Sequence, residues 1–263
     1  MKTLVMKFGG ASVATPEHFS RVADIIIARR KDYSRLVIVV SAMGDTTDEL
    51  EILAKRVNPS PPRREYDMLV SVGERISISL LAMALAAKGC NAVSFTGSQS
   101  GIITCGRHSN AAIVDVRPRR LLAALESGQV VIVAGFQGVS VGGEITTLGR
   151  GGSDTTAVAL GIALEASHVE FFKDVAGVFD KDPKQYLDAR LLNRLSYNDA
   201  RTIVSECEQI LHPRCLLLAE CNGLKLLVRS FHDPHGEKHE GTWIENVGQE
   251  PASKVSWEVT NIS

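Results

Sequence analysis

The residues best suited to chemistry are Thr147-Leu148-Gly149-Arg150-Gly151-Gly152-Ser153-Asp154, set just before an apolar run, Ala157 to Ala166, that reads as a buried helix. Glycines let backbone N–H groups converge on one point, and the following helix adds the positive end of its dipole. Such a loop receives an anion. Arg150 contributes a planar fork for a carboxylate or phosphate. Asp154 would repel that ligand unless it orients a cation. Taken alone, the stretch is equally well a glycine turn with Ser153 or Asp154 as a helix cap.

Other segments alter that balance. An apolar strand ends in Lys7-Phe8-Gly9-Gly10, a second strand ends in Ser41-Ala42-Met43-Gly44, and an acidic loop runs from Asp174 to Asp182. No Gly-Lys dipeptide occurs, so there is no Walker-type loop, and no GxGxxG follows the first strand. Protein-kinase signatures are also absent. Two anion-binding loops, a lysine and an aspartate suit phosphoryl transfer, which depends on positioning and charge stabilisation more than on covalent chemistry from the protein.

Strands alternating with helices must carry these groups. Thr3 to Phe8 and Arg35 to Val40 have the continuous apolar character of parallel strands covered on both faces. Helices are expected from about Thr15, with Pro16 at its first position, to Arg30, and from Thr46, which has capping-box spacing to Glu49. Residues 65–88 give the longest helical pattern, with Gly73 in its middle at a penalty of about 1 kcal/mol relative to alanine. That penalty points to close approach or function at Ser71-Val72-Gly73-Glu74, against the plainer reading of Glu74–Arg75 as a surface pair. Further strands are expected at 91–95, 129–134, 169–173 and 224–228, with helices at 117–127, 197–204 and 210–221. Residues 96–110 read as a loop over the site, 135–144 as a hairpin, and the end as one short strand at 241–245 followed by a loose tail. The class is α/β, with ligands at the carboxyl ends of the strands.

Composition narrows the partners. A net charge of -1 gives no reason to expect nucleic acid or an acidic membrane. No uninterrupted apolar stretch approaches the roughly 18 residues of a membrane span. The five cysteines lack CxxC pairs, which suits reduced thiols in a cytoplasm. His232, His235 and His239 lie in a polar segment without a cysteine partner and read as solvated, so no metal site is expected.

In several motifs, in order, the chain resembles the aspartate kinases of the amino-acid kinase family. Lys7-Phe8-Gly9-Gly10-Ala11-Ser12 is similar to their KFGGTS, and Ser41-Ala42-Met43-Gly44 with Thr47 to SAMGxTT. Ser71-Val72-Gly73-Glu74 is similar to SxGE, Ala134 to Gly138 to AGFQG, and Thr147 to Asp154 matches TLGRGGSD without a change. The resemblance implies an αβα sandwich around a mostly parallel sheet of roughly eight strands. It implies a kinase domain over residues 1–245, with an acceptor-binding amino-terminal part and an ATP-binding carboxyl-terminal part, then a tail over 246–263. It also implies ATP with Mg2+, L-aspartate as acceptor, 4-phospho-L-aspartate as product, a homodimer and a cytoplasmic location. The alternatives are a divergent kinase for another small amino-acid or carboxylate acceptor, or a catalytically weak regulatory relative.

By the same resemblance Lys7 and Asp154 are catalytic, with Asp154 orienting Lys7. Glu74 would take the acceptor's ammonium and Arg150 its carboxylate, with Ser41, Thr47 and Ser153 completing that pocket. ATP would meet Lys7, Gly9, Gly10, Ser12, Gly151, Gly152, Lys173, Asp174, Phe179, Asp182 and Gln209. Three of these depart from the pattern: Lys173 and Phe179 stand for threonine and tyrosine in TDVxGxYTxDP, and Gln209 for the lysine of GAKVLHP. The paired ACT regulatory domains common in the family are not expected, because only about 30 residues follow Phe231.

Overall fold

A computed structural model describes residues 2–181, 183, 185–186, 188–206, 210–237, 239–246 and 255–257. In chain order the elements are β1 (Thr3–Phe8), α1 (Pro16–Arg29), β2 (Arg35–Val40), α2 (Thr46–Val57), α3 (Arg63–Val70), α4 (Val72–Ala87), β3 (Ala92–Phe95), β4 (Ile102–Thr104), β5 (Ile113–Val116) and α5 (Arg119–Glu126). They continue with β6 (Val130–Ala134), β7 (Gln137–Ser140), β8 (Ile145–Thr147), α6 (Gly152–Ala163), β9 (Val169–Lys173), β10 (Arg194–Leu195), α7 (Tyr197–Glu206), α8 (Pro213–Cys221), β11 (Leu226–Ser230) and β12 (Thr242–Ile244).

Eight strands form the main sheet in the order β10-β12-β11-β9-β1-β2-β6-β3, parallel throughout except for the β11–β12 pair. Alternation along each strand divides the apolar residues between two faces. Val5, Val37, Val131 and Phe171 belong to a core shared with α5, α6 and α8, whereas Leu4, Met6, Phe8 and Ile38 pack under α1 and α4. Helices thus cover both faces, as the apolar runs of β1 and β2 predict. Each fully buried Leu, Met or Phe contributes about 1.5–3 kcal/mol. Together these anchor β1 although it also buries the Lys7 ammonium, whose desolvation costs several kcal/mol.

Several expectations need correction. Residues 65–88 are two helices broken at Ser71, so Gly73 lies in the first turn of α4 rather than mid-helix. Its close approach is real: a Cβ there would stand 2.7 Å from that of Ala42. Helix α2 starts at Thr46 with Asp45 as its N-cap and no side-chain cap bond, so the capping box does not form. Helix α6 begins at Gly152, five residues before the apolar run, because the glycine loop itself makes the first turn. Residues 96–110 are not all loop. They contain β4, part of a second sheet in the order β5-β4-β7-β8.

The described part of the tail is also docked, not loose. Ser256 donates its N–H to Asn222 Oδ1 (2.9 Å) and accepts from Asn222 Nδ2 (3.0 Å), and Trp257 packs on the core. The run Arg63–Ala87 has the length of a membrane span and contains an 18-residue window with a mean hydropathy of 1.6, although it lacks an unbroken apolar stretch. Its break at Ser71 and its buried Asp67, Glu74 and Ser77 mark instead a helix pair packed on the core.

Candidate active site

Parallel pairing brings the carboxyl ends of β1, β2, β6 and β9 to one edge, where α6 presents its amino end. Lys7, the penultimate residue of β1, projects to the α6 face, and Asp154 occupies the first turn of that helix. Lys7 Nζ lies 2.7 Å from Asp154 Oδ1, with both side chains buried. Lys173, the last residue of β9, approaches the other oxygen, its Nζ 3.5 Å from Oδ2. Burial lowers the Lys7 pKa, and the Lys173 charge adds to this against the attraction of Asp154. For Asp154 burial alone would raise the pKa, but Lys173 and Lys7 together hold it below the usual carboxylate range.

The Gly149–Gly152 loop adopts the geometry its composition allows. Gly151 has φ +67°, and a Cβ there would lie 2.1 Å from the Cβ of His212, so loop and α8 touch only because no side chain intervenes. Lys7 and Asp154 line a cleft of about 860 Å³, as do Ser41, Thr47, Glu74 and Arg150. Ser153, Gly10, Gly151 and Gly152 line it too.

Glu74 is not the half of a surface pair. It is 2% exposed, and its Oε1 accepts the Ala42 N–H at 3.2 Å. Its Oε2 is buried without a hydrogen-bond partner among the described residues. Burial raises its pKa to about 7, partly countered by its own backbone N–H and that of Ala42. Arg150 is exposed at the cleft, leaving its fork open to a ligand.

The residues expected to bind an acceptor all line the cleft, whereas those expected to meet a nucleotide do not all gather there. Gly9 sits beside Lys7, where a Cβ would lie 3.6 Å from Nζ, while Ser12 is buried in the 3-10 turn Gly10–Val13. Asp174 is exposed and Phe179 bridges Leu191, and neither lines the cleft. Asp182 and Gln209 lie outside the described residues. His232, His235 and His239 are exposed, and no group of three or more His, Cys, Asp or Glu among the described residues could hold a metal ion.

Asp67, Arg214 and the contact made by Gln137 escape sequence reading. Asp67 is wholly buried and accepts from Ser109 N (3.0 Å), Thr147 N (3.1 Å) and Thr147 Oγ1 (2.7 Å), with His108 Nδ1 at 2.9 Å. It therefore ties α3 to Ser109 and Thr147, both of which line the cleft. Arg214 on α8 donates to the Leu148 carbonyl and to Asn110 Oδ1, each at 2.8 Å, which fixes the start of the glycine loop. Gln137 donates to the Ser71 carbonyl at 2.8 Å, holding the break that leads into Glu74.

A mostly parallel sheet covered by helices, with a lysine–aspartate pair and a glycine loop at the carboxyl ends of its strands, defines an α/β domain with an anion-binding site. The chain belongs to the amino acid kinase family, whose sequence model matches residues 2–230.

Among its relatives, the aspartokinase of Mycolicibacterium smegmatis is 48% identical over 254 residues, covering 96% of this chain and 60% of that protein. That of Geobacillus stearothermophilus is 47% identical over 251 residues, covering 95% of this chain and 61% of the relative. The chain thus spans about 60% of the length of the curated relatives it matches. Among solved structures, aspartate kinase from Synechocystis superposes with TM-score 0.83 at 40% identity, over 96% of this chain and 40% of that one. E. coli aspartokinase III in complex with aspartate and ADP gives TM-score 0.82 at 26% identity, over 95% and 66%.

Proposed function

We propose that the chain transfers the γ-phosphoryl group of ATP to the side-chain carboxylate of L-aspartate, giving 4-phospho-L-aspartate. One observation carries this reading. The unpartnered buried oxygen of Glu74 and the open fork of Arg150 line one cleft, beside the Lys7–Asp154 pair. Such a cleft asks for a ligand with an ammonium and a carboxylate at one end and a nucleophile at the other. The aspartokinase relatives and the aspartate-bound E. coli structure support the choice of aspartate.

On this reading a side-chain carboxylate oxygen attacks the γ-phosphorus, and the bond to the β-phosphate oxygen breaks with its electron pair leaving on ADP. Lys7, held in line by Asp154, offsets charge on the transferring group. Backbone groups at Gly9, Gly10, Gly151 and Gly152 cradle phosphate oxygens, helped by the amino end of α6. Ser41, Thr47 and Ser153 border the acceptor. Magnesium would accompany ATP, held mainly by phosphate oxygens. Residues 1–245 would form the catalytic unit, acting as a homodimer in the cytoplasm.

The test is a hydroxylamine trap for acyl phosphate with the purified chain, ATP and a panel of amino acids. Aspartate should give hydroxamate far above every other acceptor. Equal or greater yield with another amino acid would move the chain to a different acceptor.

A further inference from the structure

Lys173 has no part in the mechanism above, yet it is not a solvated lysine at a strand end. Parallel pairing sets Lys7 opposite Phe171, so Lys173 lies two residues further along β9 on the same face of the sheet. Its side chain is only 15% exposed, and its ammonium is 3.5 Å from Asp154 Oδ2 while Lys7 holds Oδ1. Asp154 is thus shared between two ammonium groups. Nearby Cys215 adds no negative charge, since burial pushes its thiol pKa far up.

Two ammonium groups share the one carboxylate of Asp154, and burial raises the pKa of Glu74, the other buried acid at the cleft, to about 7, so positive charge is in excess while Glu74 holds its proton. Burying an uncompensated charge is costly, so the arrangement is best satisfied when an anion joins it. Lys7 and Asp154 line the acceptor cleft, whereas Lys173 reaches Asp154 from outside it. An anion bridging both lysines would therefore sit at the cleft's boundary, where a phosphoryl group passes from nucleotide to acceptor.

We propose that Lys173 is a second catalytic cation, contacting the γ-phosphoryl group of ATP together with Lys7. The proposal rests on the kinase reading above. A flexible ammonium suits the role, because it can follow a moving phosphorus while staying near Asp154.

The test uses the whole chain and the variants Lys173→Thr, Lys173→Gln and Lys173→Arg. Calorimetry without acceptor gives the affinities for Mg·ATP and Mg·ADP, and hydroxamate formation gives kcat. For Lys173→Thr, ATP affinity should fall about tenfold with little change for ADP, and kcat should fall on the order of 10²-fold. Lys173→Arg should retain most of the ATP affinity. Lys173→Gln, nearer the native shape, repeats the measurement should the threonine variant be unstable. An unchanged kcat, or equal losses for ATP and ADP, would overturn the proposal and leave Lys173 only holding Asp154 in place. Absence of hydroxamate in the unmodified chain would instead strike the parent reading, and the calorimetric arm separates the two because it needs no acceptor.

Discussion

Lys7, near the end of the first strand, and Asp154, in the first turn of α6, form a buried ion pair of 2.7 Å between elements 147 residues apart in sequence. On the proposed function the pair accounts for a carboxylate inside an anion-binding loop: Asp154 would hold a cation for the phosphate instead of meeting the phosphate itself. The two residues should therefore behave as a unit. Lys7→Ala should lower kcat by about 10²–10³-fold, and Asp154→Asn should follow it. The double variant should be little worse than the worse single one, a departure from additivity of about 1 kcal/mol or more in a double-mutant cycle on kcat/KM. Additive losses would show that Asp154 does not act through Lys7.

Arg150 lies open at the cleft, so its loss should leave the fold intact and act on the acceptor. A charged hydrogen bond to a carboxylate is worth about 1.5–3 kcal/mol, so Arg150→Ala should raise the aspartate KM roughly 10- to 100-fold. The KM for ATP should change little. Steady-state kinetics with each substrate varied in turn makes the comparison.

Glu74 links function to pH. With its pKa raised to about 7 in the folded chain, it is largely neutral at pH 6 and ionised at pH 8. Only the ionised form pairs with an ammonium, so aspartate affinity should rise across that interval, with about one proton released per aspartate bound at low pH. Calorimetry in buffers of different ionisation enthalpy reads this directly.

The same group affects stability with the opposite sign. The folded chain holds the Glu74 proton more tightly than the unfolded chain, so this contribution is complete below the unfolded value of 4.5 and is lost as pH rises through about 7. At pH 8 Glu74→Gln should stabilise the chain by about 3 kcal/mol, as an upper figure, while impairing aspartate binding. Urea unfolding at pH 8 and pH 5 should show a gain at the former that shrinks at the latter.

Asp67 should matter although it does not line the cleft. Asp67→Ala would leave the Ser109 and Thr147 donors without their acceptor, destabilising the chain by about 2–4 kcal/mol. Because Ser109 and Thr147 line the cleft, the folded fraction should also show a raised aspartate KM with unchanged ATP affinity. A loss of stability alone would confine Asp67 to a structural role.

What could be read from the sequence follows from how local each cause is. The β1 and β2 spans needed only their own apolar runs, and Arg150, Asp154 and Glu74 stood out as polar residues in glycine-marked settings. Asp67 was hidden because its partners lie 41 to 80 residues away, in segments that fold onto it only in the finished structure. The strands of the second sheet are three or four residues long, too short for alternation to register. Lys173 showed in the sequence as a departure from a pattern, but its burial against Asp154 depends on the β1–β9 register.

Attack by a carboxylate oxygen of aspartate on the γ-phosphorus of ATP in this cleft is read out with aspartate carrying 18O in its carboxylates. The acyl phosphate is trapped with hydroxylamine, which attacks the carbonyl carbon and releases phosphate with the bridging oxygen. The released phosphate should carry one 18O per turnover, matching the hydroxamate formed. Unlabelled phosphate, or ADP formed without hydroxamate, would rule out attack by the aspartate carboxylate.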